Sequence, residues 1–285
     1  MKYFNKTFPK EILKKLHEEL KNREEENPYD QRNFLVSNSP GSKYKREEFD
    51  KILELAYHHN IIDAHLIKSL HSKKEKDFYQ IYQELAVAYF FEKILKKKIE
   101  FYPPGRNQKK LDLAVILSNK EKIMVEVKSY YKGHFKAKVF SYGDDEKTIR
   151  QNIEKAMDQL PTNSMNLIVF ASQGIFNISD DLSGIIEALY GHPYISIPVG
   201  GKSQDIEDEF NYDGLFQPNK NTRISAIASF EQIIPFPGNR IEYIFKVYHN
   251  PYAKDKIDKS IFDTYQQFIL EKDKMIWVNR DKSKG

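Results

Sequence analysis

Apolar residues recur at helical spacing in the first third of the chain and at strand spacing after it. Ile12, Leu13, Leu16 and Leu20 share one face over residues 8–26, which predicts a charged amphipathic helix. A polar stretch with Pro and Gly follows from Asn27 to Ser42, and helices are expected over Glu47–His59 and Ile62–Leu70. The periodicity sharpens over Asp77–Lys97, where Ile81, Leu85, Ala88, Phe91 and Leu95 form one stripe. A loop at residues 102–110, with two prolines and a glycine, ends that helix. Two alternating runs, Leu111–Leu117 and Ile123–Tyr130, then read as a β-hairpin across the polar residues 118–122.

A helix over Lys147–Leu160 is stopped by Pro161, and the continuous apolar run Leu167–Ser172 reads as a strand covered on both faces. A helix at Asp181–Leu189 and strands at Tyr194–Val199, Ile224–Phe230 and Ile241–Asn250 follow, with a terminal helix expected over Ile261–Leu270. Strands and helices interleave from Asp77 onward. The fold class is therefore α/β, a central mixed β-sheet flanked by helices, preceded by an N-terminal helical region. The division is a helical region at residues 1–75 and an α/β domain at 76–285, the latter ending in a C-terminal strand and helix extension.

Composition narrows the chemistry. The 285 residues include no cysteine, which excludes disulfides, thiolate zinc sites and cysteine nucleophiles. With 18 Tyr and 19 Phe the chain is too aromatic for wholesale disorder. The N-terminus lacks the continuous apolar stretch of a signal peptide, and no run approaches the roughly 18 apolar residues of a membrane span. The expectation is a cytoplasmic protein with no membrane partner. A net charge of +4 says little about nucleic acid, but seven of the residues from Lys93 to Lys110 are basic against one acid, Glu100.

The hairpin carries the chemistry. Leu111, Leu113 and Val115 alternate with Asp112, and Val125 and Val127 alternate with Glu126 and Lys128. Asp112 shares a face with Glu126 and Lys128 only if opposed residue numbers sum to an even value. A turn at Asn119–Glu121 satisfies this and sets Asp112 opposite Lys128, whereas a slip of one residue splits the cluster. Two carboxylates and an ammonium on one face suit phosphodiester hydrolysis. The carboxylates hold a magnesium ion that offsets substrate charge and acidifies water, and Lys128 adds a compact positive charge. The Val127 carbonyl is a further hard-oxygen ligand for the metal. The alternative is that Glu126 and Lys128 are a solvated pair on an exposed strand face.

These residues resemble the paired-strand motif of the PD-(D/E)XK nuclease superfamily, the restriction-endonuclease-like fold. Asp112 matches its first acid, Glu126 its second and Lys128 its lysine, while Leu111 stands where the motif has proline. The likeness spans residues 77 to about 170, and the superfamily's glutamate on the preceding helix corresponds to Glu84. It implies a Mg2+-dependent deoxyribonuclease, with Mn2+ as substitute, in restriction or antiviral defence, either as a homodimer or with a partner protein. Glu84, Asp112, Glu126 and Lys128 would be catalytic, with Asp112, Glu126 and Val127 on the metal.

Arg106, Lys109, Lys110 and Lys132 flank the trio and would hold phosphates. Lys136 and Lys138 lie close by, interleaved with Tyr130, Tyr131 and Phe135 that could stack on unpaired bases. Gln159 is a further candidate, with Gln151 as its competitor. His59 and Asp63 have ligand spacing without an evident third ligand, and His249 is expected to end a strand. Two rivals remain: a non-catalytic nucleic-acid-binding or scaffold subunit with the same fold, and a nuclease directed at RNA.

Overall fold

The computed structural model describes residues 1–23, 30, 32–129, 142–173, 182–191, 193–196, 207–210, 213–234, 240–271 and 274–279. Lys132 and its neighbours Tyr130, Tyr131, Phe135, Lys136 and Lys138 lie outside the described residues. The helices are α1 (Lys2–Thr7), α2 (Lys10–Arg23), α3 (Asn33–Val36), α4 (Pro40–His58), α5 (Ala64–Leu70), α6 (Glu75–Tyr89), α7 (Tyr142–Met157) and α8 (Leu182–Tyr190). The strands are β1 (Lys98–Phe101), β2 (Leu113–Ile116), β3 (Lys122–Ser129), β4 (Met165–Gln173), β5 (Pro193–Ser196), β6 (Glu207–Phe210), β7 (Ala226–Ile233), β8 (Glu242–His249), β9 (Gln266–Glu271) and β10 (Lys274–Val278).

Eight strands form one mixed sheet in the order β1-β2-β3-β4-β7-β8-β9-β10. The central pairs β3–β4 and β4–β7 are parallel, and β1–β2–β3 form an antiparallel meander at one edge. β4 is apolar from Leu167 to Ala171, where both its faces are covered. Leu167, Val169 and Ala171 join one core cluster, and Ile168 and Phe170 the other. The first cluster holds the buried face of α6 and, with it, Phe4, Phe34, Phe49 and Leu53 of the N-terminal helices and Phe8 between α1 and α2, so these side chains pack into the same core as the sheet. The second is closed by Ile149, Ile153 and Ala156 of α7 and by Ile185, Ala188 and Leu189 of α8.

Helix starts follow local chemistry. Ser39 accepts the Ser42 N–H with Pro40 opening α4, and Asp63 accepts the Leu66 N–H at 2.7 Å to cap α5. Within the stretch read as polar, Arg32 is fully buried. It clamps Asp30 at 2.6 Å and the Ser72 carbonyl at 2.9 Å, which fixes α3 to the end of α5.

Three of the expected elements take another form. The long helix ends at Tyr89 and widens into a π turn at Phe90–Ile94, whose Leu95 N–H reaches the Phe90 carbonyl at 2.9 Å. Of the strand expected over Tyr194–Val199, Tyr194–Ser196 lie in β5, which pairs with β6 in a separate two-stranded sheet, and residues 197–199 lie outside the described residues. The terminal helix over Ile261–Leu270 is not formed. A short 3₁₀ turn at Lys259–Phe262 leads into β9, which pairs parallel to β8 and forms a hairpin with β10. Tertiary pairing overrides the helical spacing there: the edge of β8 takes Gln266–Phe268 as a ladder.

Candidate active site

The site lies where the β2–β3 hairpin opens. The ladder pairs Leu113 with Val125 and Ile116 with Lys122, so opposed numbers sum to an even value, as the shared face requires. The turn is one residue earlier than expected. Ser118, Asn119 and Lys120 form the loop, closed by the Leu117 N–H on the Glu121 carbonyl at 2.8 Å, with Lys120 in the left-handed region (φ 69°). Asn119 fixes it by accepting the Glu121 N–H at 3.1 Å. The ladder ends at Leu113 and Asp112 lies in the bend before β2, so the expected pairing of Asp112 with Lys128 is not formed. Leu111 packs in the second core cluster while Leu113 and Val115 pack in the first, so the alternation expected over Leu111–Val115 breaks at Asp112.

β3 runs four residues past its last partner on β2. N–H and C=O groups of a strand residue point the same way, and odd-numbered β3 residues face β2. Past Val125 these groups meet side chains instead of a strand. Asp112 Oδ2 accepts the Val127 N–H at 2.6 Å. Gln80 of α6 donates from Nε2 to the Val127 carbonyl at 3.2 Å and accepts the Ser129 N–H at 3.2 Å and the Ser129 hydroxyl at 2.5 Å. The same Nε2 donates to Glu84 Oε1 at 2.7 Å, which brings the helix glutamate to the strand.

Glu126 is 3% exposed. Its Oε1 accepts from Lys128 Nζ and from Gln159 Nε2, each at 2.6 Å, while Oε2 is buried without a hydrogen-bond partner among the described residues. Gln159 sits in the turn just past α7, rather than within the helix, and Gln151 is exposed on the helix. The Gln159 carbonyl accepts the Arg106 N–H at 2.8 Å, and a Cβ on Gly105 would stand 2.7 Å from that carbonyl. Glycine at 105 thus permits the loop before Asp112 to dock on the turn that presents Gln159.

The carboxylates feel one another. Burial pushes Glu84 up to about 7, the Gln80 hydrogen bond opposing and the Glu126 charge reinforcing the rise. Asp112 is raised well above the usual carboxylate range by burial and then by the charges of Glu84 and Glu126, against the Val127 N–H and Lys128. Glu126 is raised by burial, with Lys128, Gln159 and Lys109 pulling the other way. Like charges held together out of water are a feature of functional sites.

Among the described residues, no group of three or more His, Asp or Glu side chains forms a ready cation cage. Asp112 is turned to Val127, Glu126 to Lys128 and Gln159, and Glu84 to Gln80. The donor set nevertheless fits a hard divalent cation: three carboxylates, a strand carbonyl and one buried carboxylate oxygen with no protein donor.

Arg106, Lys109 and Lys110 are all exposed on the adjoining loop. That loop is conformationally costly, with Tyr102, Asn107 and Gln108 at φ of 54°, 56° and 61°. Tyr102 was not singled out by the sequence. Its N–H donates to the Asp112 carbonyl at 3.2 Å, and burial followed by the charges of Glu84 and Asp112 raises its hydroxyl. Gln80 was also missed, although its one-turn spacing from Glu84 was visible. His59 and Asp63 do not form a ligand pair: His59 Nε2 meets Glu92 Oε2 at 2.6 Å, and Asp63 caps α5. His249 ends β8 as expected and meets Gln267 at 2.8 Å.

A cavity of about 460 Å³ between α4 and β8 is lined by Glu48, Lys51, Tyr89, Tyr243 and Lys246, among others, and contains none of Glu84, Asp112, Glu126, Lys128 and Gln159. No helix among the described residues is long and apolar enough to cross a membrane. Compared with known proteins, the chain matches no family model, no curated protein and no solved structure.

Proposed function

We propose that this chain is a divalent-cation-dependent nuclease that hydrolyses phosphodiester bonds of DNA on a restriction-endonuclease-like core. The observation that carries the reading is that the open end of the hairpin holds Asp112 on the Val127 N–H, Gln80 between Glu84 and the Val127 carbonyl, and Glu126 on Lys128 and Gln159 with one Glu126 oxygen buried and unpartnered among the described residues. Magnesium, or manganese in its place, would supply charge neutralisation on the phosphate and acidification of water. Asp112, Glu126 and the Val127 carbonyl would hold it, with Glu84 in support.

The remaining work belongs to the chain's own groups. Gln159 and Lys128 fix Glu126 through Oε1 and leave Oε2 open. The Lys128 side chain is 20% exposed, so its ammonium reaches both the carboxylate and an incoming anion, where it stabilises charge that builds on the phosphate. Arg106, Lys109 and Lys110 offer phosphate contacts along the loop.

A second reading, a nucleic-acid-binding subunit without catalysis, is favoured by the way each carboxylate is turned to a protein donor instead of a shared centre. Incubation of plasmid DNA and of RNA with the purified chain, in Mg2+ or Mn2+ and in chelator, separates these. The expected outcome is cation-dependent cutting of DNA that is lost, with binding retained, in Asp112→Ala and Lys128→Ala. Equal cutting by both variants refutes the assignment. Binding without cutting by the wild type selects the second reading, and cutting confined to RNA replaces the substrate.

A further inference from the structure

We propose that Gln80 is a positioning residue for the cation site, holding the Val127 carbonyl and the Glu84 carboxylate together through one carboxamide. The inference rests on the cation reading given above. It starts from a strand-length mismatch: β2 stops at Leu113 while β3 continues to Ser129, which leaves the β2-facing groups of Val127 and Ser129 without a ladder partner. The Gln80 amide replaces the missing peptide. Its Oε1 takes the Ser129 N–H at 3.2 Å and the Ser129 hydroxyl at 2.5 Å, and its Nε2 donates to the Val127 carbonyl at 3.2 Å.

These contacts also settle which end of the amide points where. Exchanging Oε1 and Nε2 would set an oxygen against a carbonyl and a carboxylate, and an NH2 against the Ser129 N–H. With the orientation fixed, the second Nε2 hydrogen is directed to Glu84 Oε1 at 2.7 Å. Two candidate ligands from different elements, a helix carboxylate and a strand carbonyl, are thereby held by one group that does not itself offer an oxygen to the cation. A role confined to closing the strand edge would need only the Ser129 and Val127 bonds. The third bond, to Glu84, is what couples helix to strand at the site. Groups one layer out from metal ligands typically alter metal affinity by about 10–100-fold when removed.

The test is Mn2+ binding, followed by electron paramagnetic resonance of the free ion, to the full chain and its variants, with thermal melts in chelator alongside. Gln80→Leu keeps the volume of the side chain and removes all four hydrogen bonds. It is expected to weaken Mn2+ binding about ten-fold or more and, because the Val127 carbonyl and the Ser129 N–H lose their partner, to melt below the wild type in chelator while remaining folded at the assay temperature. Ser129→Ala, a milder change, is expected to weaken binding several-fold. The double variant is expected to bind no worse than Gln80→Leu alone, because Ser129 acts through Gln80. Mn2+ binding by Gln80→Leu equal to that of the wild type, or fully additive losses in the double variant, overturns the positioning role alone. Absence of Mn2+ binding by the wild type overturns the cation site and the role of Gln80 with it.

Discussion

Replacing Glu84 with glutamine should stabilise the cation-free protein at alkaline pH and leave it unchanged in acid. Burial and the Glu126 charge raise Glu84 from an ordinary 4.5 to about 7. At about 1.4 kcal/mol per unit this corresponds to about 3 kcal/mol, and to about 2 kcal/mol once solvent reaching a half-buried group is allowed for. The folded-state value lies above the unfolded one, so the protonated form is the stabilising one. Its contribution is complete below about pH 4.5 and is lost as the pH rises through about 7.

Glutamine has no proton to lose and can still accept the Gln80 N–H through its carbonyl oxygen. Its removal of a charge also relieves Asp112, which Glu84 pushes upward. Thermal melts in chelator should therefore give nearly equal midpoints at about pH 4, with the variant higher by roughly 4–8 °C at about pH 8. Saturating Mn2+ at the alkaline pH should raise the wild type more than the variant, because only the former gains a counter-charge for the carboxylate. A midpoint difference that does not change with pH, or a wild type more stable than Glu84→Gln in alkali, refutes the account of a buried, mutually repelling carboxylate group.

Two further outcomes follow from the loop before Asp112. Gly105→Ala drives a Cβ to 2.7 Å from the Gln159 carbonyl, so the turn must shift; stability should fall by about 1–3 kcal/mol in urea titrations, and cleavage should fall with it. Replacing Arg106, Lys109 and Lys110 together by alanine should weaken DNA binding and reduce the slope of log affinity against log salt by about two to three units. An unchanged slope would remove these residues from the phosphate path.

Elements that repeat their own pattern were legible in the sequence. The β2–β3 hairpin and β4 were found because alternation and a continuous apolar run are properties of the strands themselves. β9 was not, since Ile261, Tyr265 and Phe268 also fit helical spacing, and what decides the matter is a partner: β8 offers Lys246–Tyr248 as a ladder for Gln266–Phe268. The short edge strand β1 gave no signal either, because Lys98–Phe101 alternates charge with apolar groups over only four residues. Strand propensity there is a statement about what lies alongside.

The same distinction divides the site. That Glu126 and Lys128 lie opposite the Leu113 and Val115 face depends only on the parity of the register, so that part of the reading survived an error of two residues in the pairing, whereas Asp112 lies just outside the ladder and is set by its own bond to the Val127 N–H. Glu84 was reached through the resemblance, which implies a glutamate on the helix before the hairpin. Gln80, Gly105 and Tyr102 were not, for one shared physical reason: each acts on main chain distant in sequence. Gln80 bonds strand groups exposed only because β2 is shorter than β3, Gly105 makes room for the Gln159 carbonyl, and Tyr102 donates to the Asp112 carbonyl. Side-chain chemistry announces itself in residue type and spacing. The groups that aim it answer to where backbone is left unpaired, which is a property of the assembled sheet.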